Sequence, residues 1–374
     1  MTEAAVIRSD VPGSFARAVF HERHPRLVDD VLAALPYGAR QRAELERLLA
    51  ESTAGVLEPL PEDAPDHAEW LAWGEGLWGR PWGAAPFLWA ESYFHRRLLE
   101  ATGYFGTGVW RGIDPYGPLK AAELAGAAVD GFGAGPQELL ASALWGNRAD
   151  LGFRITAGEG PRAGTDALVA DDSAAFWSAL ERGRGGRVCV VADNAGPELL
   201  PDLALIDHLL EHGLAAEVAL FVKPQPYFVS DATMADVLAA LGRLEATAAG
   251  RRLRRAVEDG TLAVRTDPFF CAPLPYEAMP AGLRAEFAGA ALTVLKGDLN
   301  YRRLVGDRHW PPTTPFAATT AHFPSPVAAL RTLKSDVLVG VDAATLDRLD
   351  AAGTPWRTSG RHALVQVDGA ADRR

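Results

Sequence analysis

The run VCVVADNAGPELL, residues 188–200, ends an apolar stretch abruptly in Asp193–Asn194. A carboxylate and a carboxamide at the mouth of a buried strand are hard oxygen donors. Asp231, in the later run KPQPYFVSDAT, offers a second carboxylate. Two carboxylates and an amide oxygen suit an octahedral divalent ion that keeps positions open for water and substrate. Further along, LKGDLNYR sets Lys296, Asp298 and Arg302 around a glycine turn, and RTLK supplies Arg331 and Lys334. Lys296, Arg302 and Lys334 are charged donors for phosphate oxygens, and a helix starting at the KGD turn adds N–H groups whose dipole favours anions. Each acid taken alone reads first as a turn residue or a helix cap. Their gathering at one end of a sheet is what favours a metal-plus-phosphate site.

The elements that would hold these groups follow from periodicity. From Phe15 to about Leu151, apolar residues recur at three- and four-residue spacing, as in FARAVFHERHPRLVDDVLAAL and PFLWAESYFHRRLLEATGYF, which predicts helices. The tryptophans between Trp70 and Trp110 are expected in that half's core or its seam with the rest. From about Gly186 the period changes. RVCVVAD, AEVALFVKP, GTLAVRTD, GAALTVLKGD, SDVLVGVD and HALVQVD read as strands, with LPDLALIDHLLEHG and DATMADVLAALGRLEATAAG as helices between them. Strands alternating with helices imply a mostly parallel sheet with helices on both faces, because parallel neighbours need a crossover. The expected class is α/β, with a helical domain over 1–155 and a Rossmann-like α/β/α three-layer domain over 156–374. In such sheets ligands bind beyond the carboxyl ends of the strands, where Asp193–Asn194, Asp231 and Lys296–Asp298 are expected, with RTLK leading into the next strand, SDVLVGVD.

Composition excludes several alternatives. The formal net charge of −11 argues against a general nucleic-acid binder, which needs basic patches. Two cysteines, Cys189 and Cys271, are too few for a disulfide framework or a thiolate zinc site and fit a reducing cytoplasm. No secretory leader and no apolar stretch long enough to cross a bilayer can be read, so no membrane partner is expected. No P-loop or complete dinucleotide fingerprint occurs, and the histidines show no zinc spacing, which leaves them as surface or packing residues.

Taken together, ADNAGPELLPDLALIDHLL, KPQPYFVSDAT, LKGDLNYRRLVGDRHWPPTTPF, LRTLKSDVLVGV and SALWGNRADLGF closely resemble the damage-control phosphatase family, formerly a domain of unknown function. The match is to its acidic-residue methyltransferase-like subgroup, whose Arg-Thr-x-Lys signature stands here as Arg331-Thr332-Leu333-Lys334. The resemblance implies a divalent-metal-dependent phosphatase, using Mn²⁺, Co²⁺, Ni²⁺ or Mg²⁺, acting on small phosphorylated metabolites such as fructose 1-phosphate or fructose 6-phosphate. It places metal ligands at Asp193, Asn194 and Asp231, and substrate contacts at Asp298, Leu299, Asn300, Tyr301 and Arg302 and at Lys334. Glu198 matches a position assigned to S-adenosylmethionine, so carboxyl methyl transfer is the rival reading, although ADNAGPE has one glycine where Rossmann-like methyltransferases carry a glycine-rich loop. Recruitment of the same phosphatase motifs to a specialised biosynthetic pathway is a further possibility. Glu91 and Arg96 in AESYFHRR, and Asn147, Arg148 and Asp150 in WGNRAD, are weaker candidates for closing over the site. Asp193 and Asp298 are the expected catalytic carboxylates, orienting water or protonating the leaving alkoxide. Attack by water and an aspartyl-phosphate route both stay open.

Overall fold

The computed structural model describes residues 4–129, 133–146 and 167–369. Among these, seven strands form one sheet in the order β1-β7-β6-β5-β2-β3-β4. They are β1 (Leu168–Asp171), β2 (Gly186–Val191), β3 (Ala215–Val222), β4 (Leu262–Thr266), β5 (Leu292–Lys296), β6 (Val327–Thr332) and β7 (Ala363–Asp368). All neighbours are parallel except β6 and β7. The mostly parallel α/β architecture expected from the alternating pattern is therefore present.

β2 and β5 are central and buried on both faces, which explains their near-continuous apolar runs. The chain leaves β2 toward β3 and β4 and returns on the other side to β5 and β6. Strand order thus reverses between β2 and β5, and a crevice opens at their carboxyl ends. Asp193 leaves β2 there, and Gly297–Asp298 leaves β5 there.

Alternate side chains feed two cores. Val188 and Val190 face one that includes Leu199, Leu203 and Ile206 of the helix Leu199–Glu211, while Cys189 and Val191 face the other. That second core runs without a break from the sheet into the N-terminal helices, through Trp70, Trp82, Trp89, Tyr93 and Phe94. The tryptophan expectation holds for these three, all nearly fully buried. The helix Pro136–Trp145 lies on the opposite face, with Leu139, Leu140 and Leu144 in the core of Leu199–Glu211.

Three details differ from the periodicity reading. SDVLVGV is not a strand. Val337, Leu338, Val339 and Val341 are fully buried, but the place beside β5 belongs to Val327–Thr332, so RTLK ends a strand instead of leading into one. Side chains and loops satisfy this segment's backbone in place of a ladder: Arg331 donates to the Val337 carbonyl, Gln366 Nε2 to the Val339 carbonyl at 2.8 Å, and Gly340 N–H to Thr314 O at 2.7 Å. The short edge strand β1 gave no periodic signal. DATMADVLAALGRLEATAAG contains a break between the helices Met234–Leu244 and Ala248–Asp259, where Thr247 caps the second through its hydroxyl, 2.9 Å from Gly250 N.

Candidate active site

Two loops are pinned together at the crevice. Ala195 N–H donates to Ser230 O at 2.7 Å and Ala232 N–H to Asp193 O at 2.9 Å, so Asn194 and Asp231 face each other in an isolated bridge. The third wall is the helix Gly297–Val305, which begins directly at the end of β5. Gly297 has φ +82°, and a Cβ there would stand 1.8 Å from Asp193 Oδ2 and 2.0 Å from its Cγ. The Asp193 carboxylate therefore rests on a bare Cα, which only glycine provides.

The acids are deeply placed: Asp193, Asn194, Asp231 and Glu198 are all buried. Asn194 Nδ2 donates to Asp193 Oδ2 at 3.0 Å and to Glu198 Oε2 at 2.8 Å, and its Oδ1 accepts from the Ser230 hydroxyl at 2.6 Å. Lys223 Nζ is 3.2 Å from Asp231 Oδ2 but off line, and neither atom has an aligned hydrogen-bond partner. Burial pushes the Asp231 carboxyl up to about 7, with the Asp193 charge adding to the rise and Lys223 opposing it. Among the described residues no three His, Cys, Asp or Glu side chains converge as a metal cluster. The set here is two carboxylates with an amide, and the buried, unaligned Asp231 oxygen beside a second carboxylate is the kind of position a divalent cation satisfies.

Asp298 sits on the other side of the pocket. Arg331 Nε donates to its Oδ1 at 2.8 Å, and the Ser335 hydroxyl to the same oxygen at 3.0 Å. Burial raises this carboxyl, but the Arg331 and Arg302 charges with these hydrogen bonds outweigh it and hold it below its ordinary value. Asp298 is thus held as an ionised acceptor in the free protein. Arg331, fully buried and 4.3 Å over the Tyr301 ring, is the clamp on Asp298.

A pocket of about 110 Å³ joins these groups, lined by Asp193, Asn194, Asp231, Asp298, Leu299, Lys334, Glu91 and Arg302, with Phe15, Arg23, Phe228, Val229 and Ser230 completing the wall. Arg302 is held by Asp307 at 2.8 Å and Glu91 at 2.9 Å, leaving two of its five N–H groups outside these bonds. A larger cleft of about 810 Å³ among the N-terminal helices, lined by Arg40, Glu44, Arg97 and Trp110, contains none of the predicted site residues.

The other candidates lie elsewhere. Lys296, expected on phosphate, is fully buried behind the site, 2.8 Å from Asp202 and 3.5 Å from Glu198, and bonded to the Ala143 carbonyl. Neither Asp202 oxygen has an aligned donor, so the Lys296 charge is what compensates it. Lys296→Met is expected to destabilise the fold by about 3–5 kcal/mol, the usual cost of leaving half of a buried ion pair. Denaturant melts check this, and an unchanged midpoint would contradict the arrangement. Asn300 bonds Tyr276, the Ala192 carbonyl and the Lys296 carbonyl, and Tyr301 bonds Gln366 and the Val339 backbone, so both brace the helix and do not line the pocket. Glu198 is enclosed behind Asn194. Arg96 is buried against Asp66 and Glu100, away from the pocket. Asn147, Arg148 and Asp150 lie outside the described residues. His24 and His95 are packing residues, stacked on Phe94 and Phe228 and held neutral by burial.

Sequence reading missed Lys120. Its buried ammonium donates to the Asp231 carbonyl at 2.9 Å and to Asp114 and Asp236 at 3.0 Å each, tying the helix Gly117–Gly126 to the metal-ligand candidate. A lysine in the otherwise apolar stretch GPLKAAEL was the only local signal.

Comparison with known proteins decides the family. The model of the damage-control phosphatase ARMT1-like domain matches residues 19–349. The chain belongs to this family. Similar curated proteins are named damage-control phosphatase ARMT1: that of Danio rerio is 29% identical over 428 aligned positions, covering 95% of this chain and 94% of its own. That of Homo sapiens is 34% identical over 259 positions, covering 62% of this chain and 58% of its own. A solved structure of a DUF89 family protein from Pyrococcus horikoshii aligns at TM-score 0.48 and 16% identity over 88% of this chain and 94% of that one, too distant to bear on the site. Family membership supports a metabolite-repair phosphatase, and the family-matched segment contains every pocket residue except Phe15. No helix among the described residues is long and apolar enough to cross a membrane.

Proposed function

We propose that the protein is a divalent-metal-dependent phosphatase that hydrolyses phosphate monoesters of small metabolites, with sugar phosphates of the fructose 1-phosphate and fructose 6-phosphate type as the first substrates to test. The observation that carries this is the pairing of two buried carboxylates, Asp193 and Asp231, the latter with an oxygen that meets Lys223 only off line, beside the Arg302 and Lys334 cations. The cation would be held by Asp193, Asn194 and Asp231. When bound, it would supply Lewis-acid polarisation of the phosphoryl group and a lowered pKa for water.

The chain's own residues do the rest. Arg302 and Lys334 bind the phosphoryl oxygens and neutralise charge that develops on them. Asp298, kept ionised by Arg331, accepts a proton from the attacking water. Asp307 and Glu91 fix Arg302 in direction, so its free donors are aimed before substrate arrives.

Phosphate release from a panel of sugar and aryl phosphates, with Mn²⁺, Co²⁺, Ni²⁺ or Mg²⁺ and with a chelator control, tests this reading. Expected are metal-dependent turnover and a fall of roughly a hundredfold or more in Asp193→Ala. Activity indifferent to chelator, or intact in that variant, would overturn it.

A further inference from the structure

The helical N-terminus supplies a pocket residue that the motifs did not predict. The segment Phe15–Ala18 and the helix His24–Ala34 are one continuous rod interrupted by a π-turn at Val19–Arg23. On an unbroken α-helix, positions eight apart are rotated by about 80°; one inserted residue reduces this to about 20°. Phe15 and Arg23 therefore share a face, two turns apart, and both line the pocket. The Arg23 guanidinium lies 5.9 Å from the Phe15 ring centroid.

The three cations of the pocket differ in their partners. Arg302 is anchored by Asp307 and Glu91, with two N–H groups left over, and the Lys334 charge acts on Glu198. Arg23 is half-buried; among the described residues its guanidinium makes no hydrogen bond or ion pair, it lies over the Phe15 ring, and its charge acts on the Glu91 carboxyl. Across from it, Phe228 holds a left-handed backbone at φ 49°, a strained setting for a non-glycine residue, with its ring stacked 4.7 Å from His95. Glu91, the acid that feels the Arg23 charge, is already paired with Arg302, so an anionic oxygen entering the pocket would give the Arg23 guanidinium a hydrogen-bonded partner. Arg23 thus adds a third cation to Arg302 and Lys334 on the wall of the pocket that a phosphate dianion would enter.

We propose that Arg23, presented by the π-turn, is a substrate-binding residue that donates to an anionic oxygen of the substrate's phosphoryl group. The inference rests on the phosphatase reading and adds a residue from the N-terminal helices to it. No covalent bond is made or broken by Arg23; it positions the ester, and its hydrogen bond to the phosphoryl group is broken when orthophosphate leaves.

The test uses the full chain with saturating Mn²⁺ and the variants Arg23→Lys and Arg23→Gln. Expected are a rise of about tenfold or more in both KM and the inhibition constant of orthophosphate in Arg23→Gln, partly restored in Arg23→Lys, with Mn²⁺ affinity and the melting temperature unchanged. Unchanged KM and orthophosphate inhibition would overturn the proposal. So would a raised KM with unchanged orthophosphate inhibition, which would place Arg23 on the rest of the substrate. If the wild-type chain hydrolyses no ester, the phosphatase reading fails. Calorimetric binding of orthophosphate to the Mn²⁺-loaded wild type and Arg23→Gln then still decides the role of Arg23.

Discussion

Gly297→Ala is expected to abolish phosphatase activity while leaving a folded protein. The added methyl would fall 1.8 Å from Asp193 Oδ2, and the backbone there has φ +82°. Two penalties combine. The left-handed conformation and the overlap cost the fold about 1–3 kcal/mol. The carboxylate must also leave its seat, and a displacement on the order of 1 Å lowers turnover by about a hundredfold. The overlap is with the Asp193 side chain and not with a core side chain, so the fold can absorb the change. Circular dichroism together with phosphate release checks the claim: activity within a fewfold of wild type would mean that Asp193 does not need that seat. The adjacent Asp298 would keep its Arg331 clamp, so loss of activity would report on Asp193 specifically.

The second large effect is a coupling of metal to pH. Asp231 is raised by burial to about 7 in the metal-free fold, from an unfolded value of 3.8. A raised carboxyl stabilises the fold at low pH, and that contribution is lost as pH rises toward and through 7. Between pH 5.5 and pH 8 the metal-free protein should therefore lose roughly 2 kcal/mol from this group. A cation needs the deprotonated form, so apparent metal affinity should fall by up to about tenfold per pH unit below 7 and level off above it. Thermal melts with and without Mn²⁺ should show a metal-induced rise in Tm that is larger at pH 8 than at pH 5.5. Glu198, also raised by burial, shifts in the same direction. Asp231→Asn separates the two, because it should flatten the Asp231 part of the dependence. A metal-induced rise that is equal at both pH values would refute the coupling.

Legibility in the sequence followed distance along the chain. Asp193–Asn194 could be read because valines made the strand obvious and the polar pair stood at its end. Asp231 and Asp298 could be read for the same reason, each following a strand by a few residues. The parallel sheet was legible from alternation, since each strand had a helix beside it. Lys296 was misplaced because a lysine at a strand end looks the same whether it faces the crevice or turns inward, and Asp202, the partner that draws it in, sits on another helix. SDVLVGV was misread because its apolar content reports burial, while Arg331 and Gln366, which replace a strand partner, become visible only in three dimensions. Arg23 reaches the pocket, and Lys120 the Asp231 carbonyl behind it, from N-terminal helices far from these loops in sequence, and for Arg23 nothing in the local pattern separates it from a solvated arginine. The π-turn left no mark on the hydrophobic period long enough to be recognised.

The position of β7 has a consequence for the order of assembly. Among the described residues β1 has β7 as its one neighbour in the sheet, and Asp172 is tied there by its N–H to the Val365 carbonyl at 2.9 Å and by its carboxylate to Val367 N–H at 3.0 Å. Nearly two hundred residues separate these partners. During synthesis the segment from Leu168 to Arg182 emerges early and has no lasting place until Ala363–Asp368 has left the ribosome. Closing so long a loop is slow and comes late. The wedge that completes the sheet is thus also its last piece in time, and until it arrives the nascent chain carries an open edge at β6, next to the strand that ends in Arg331.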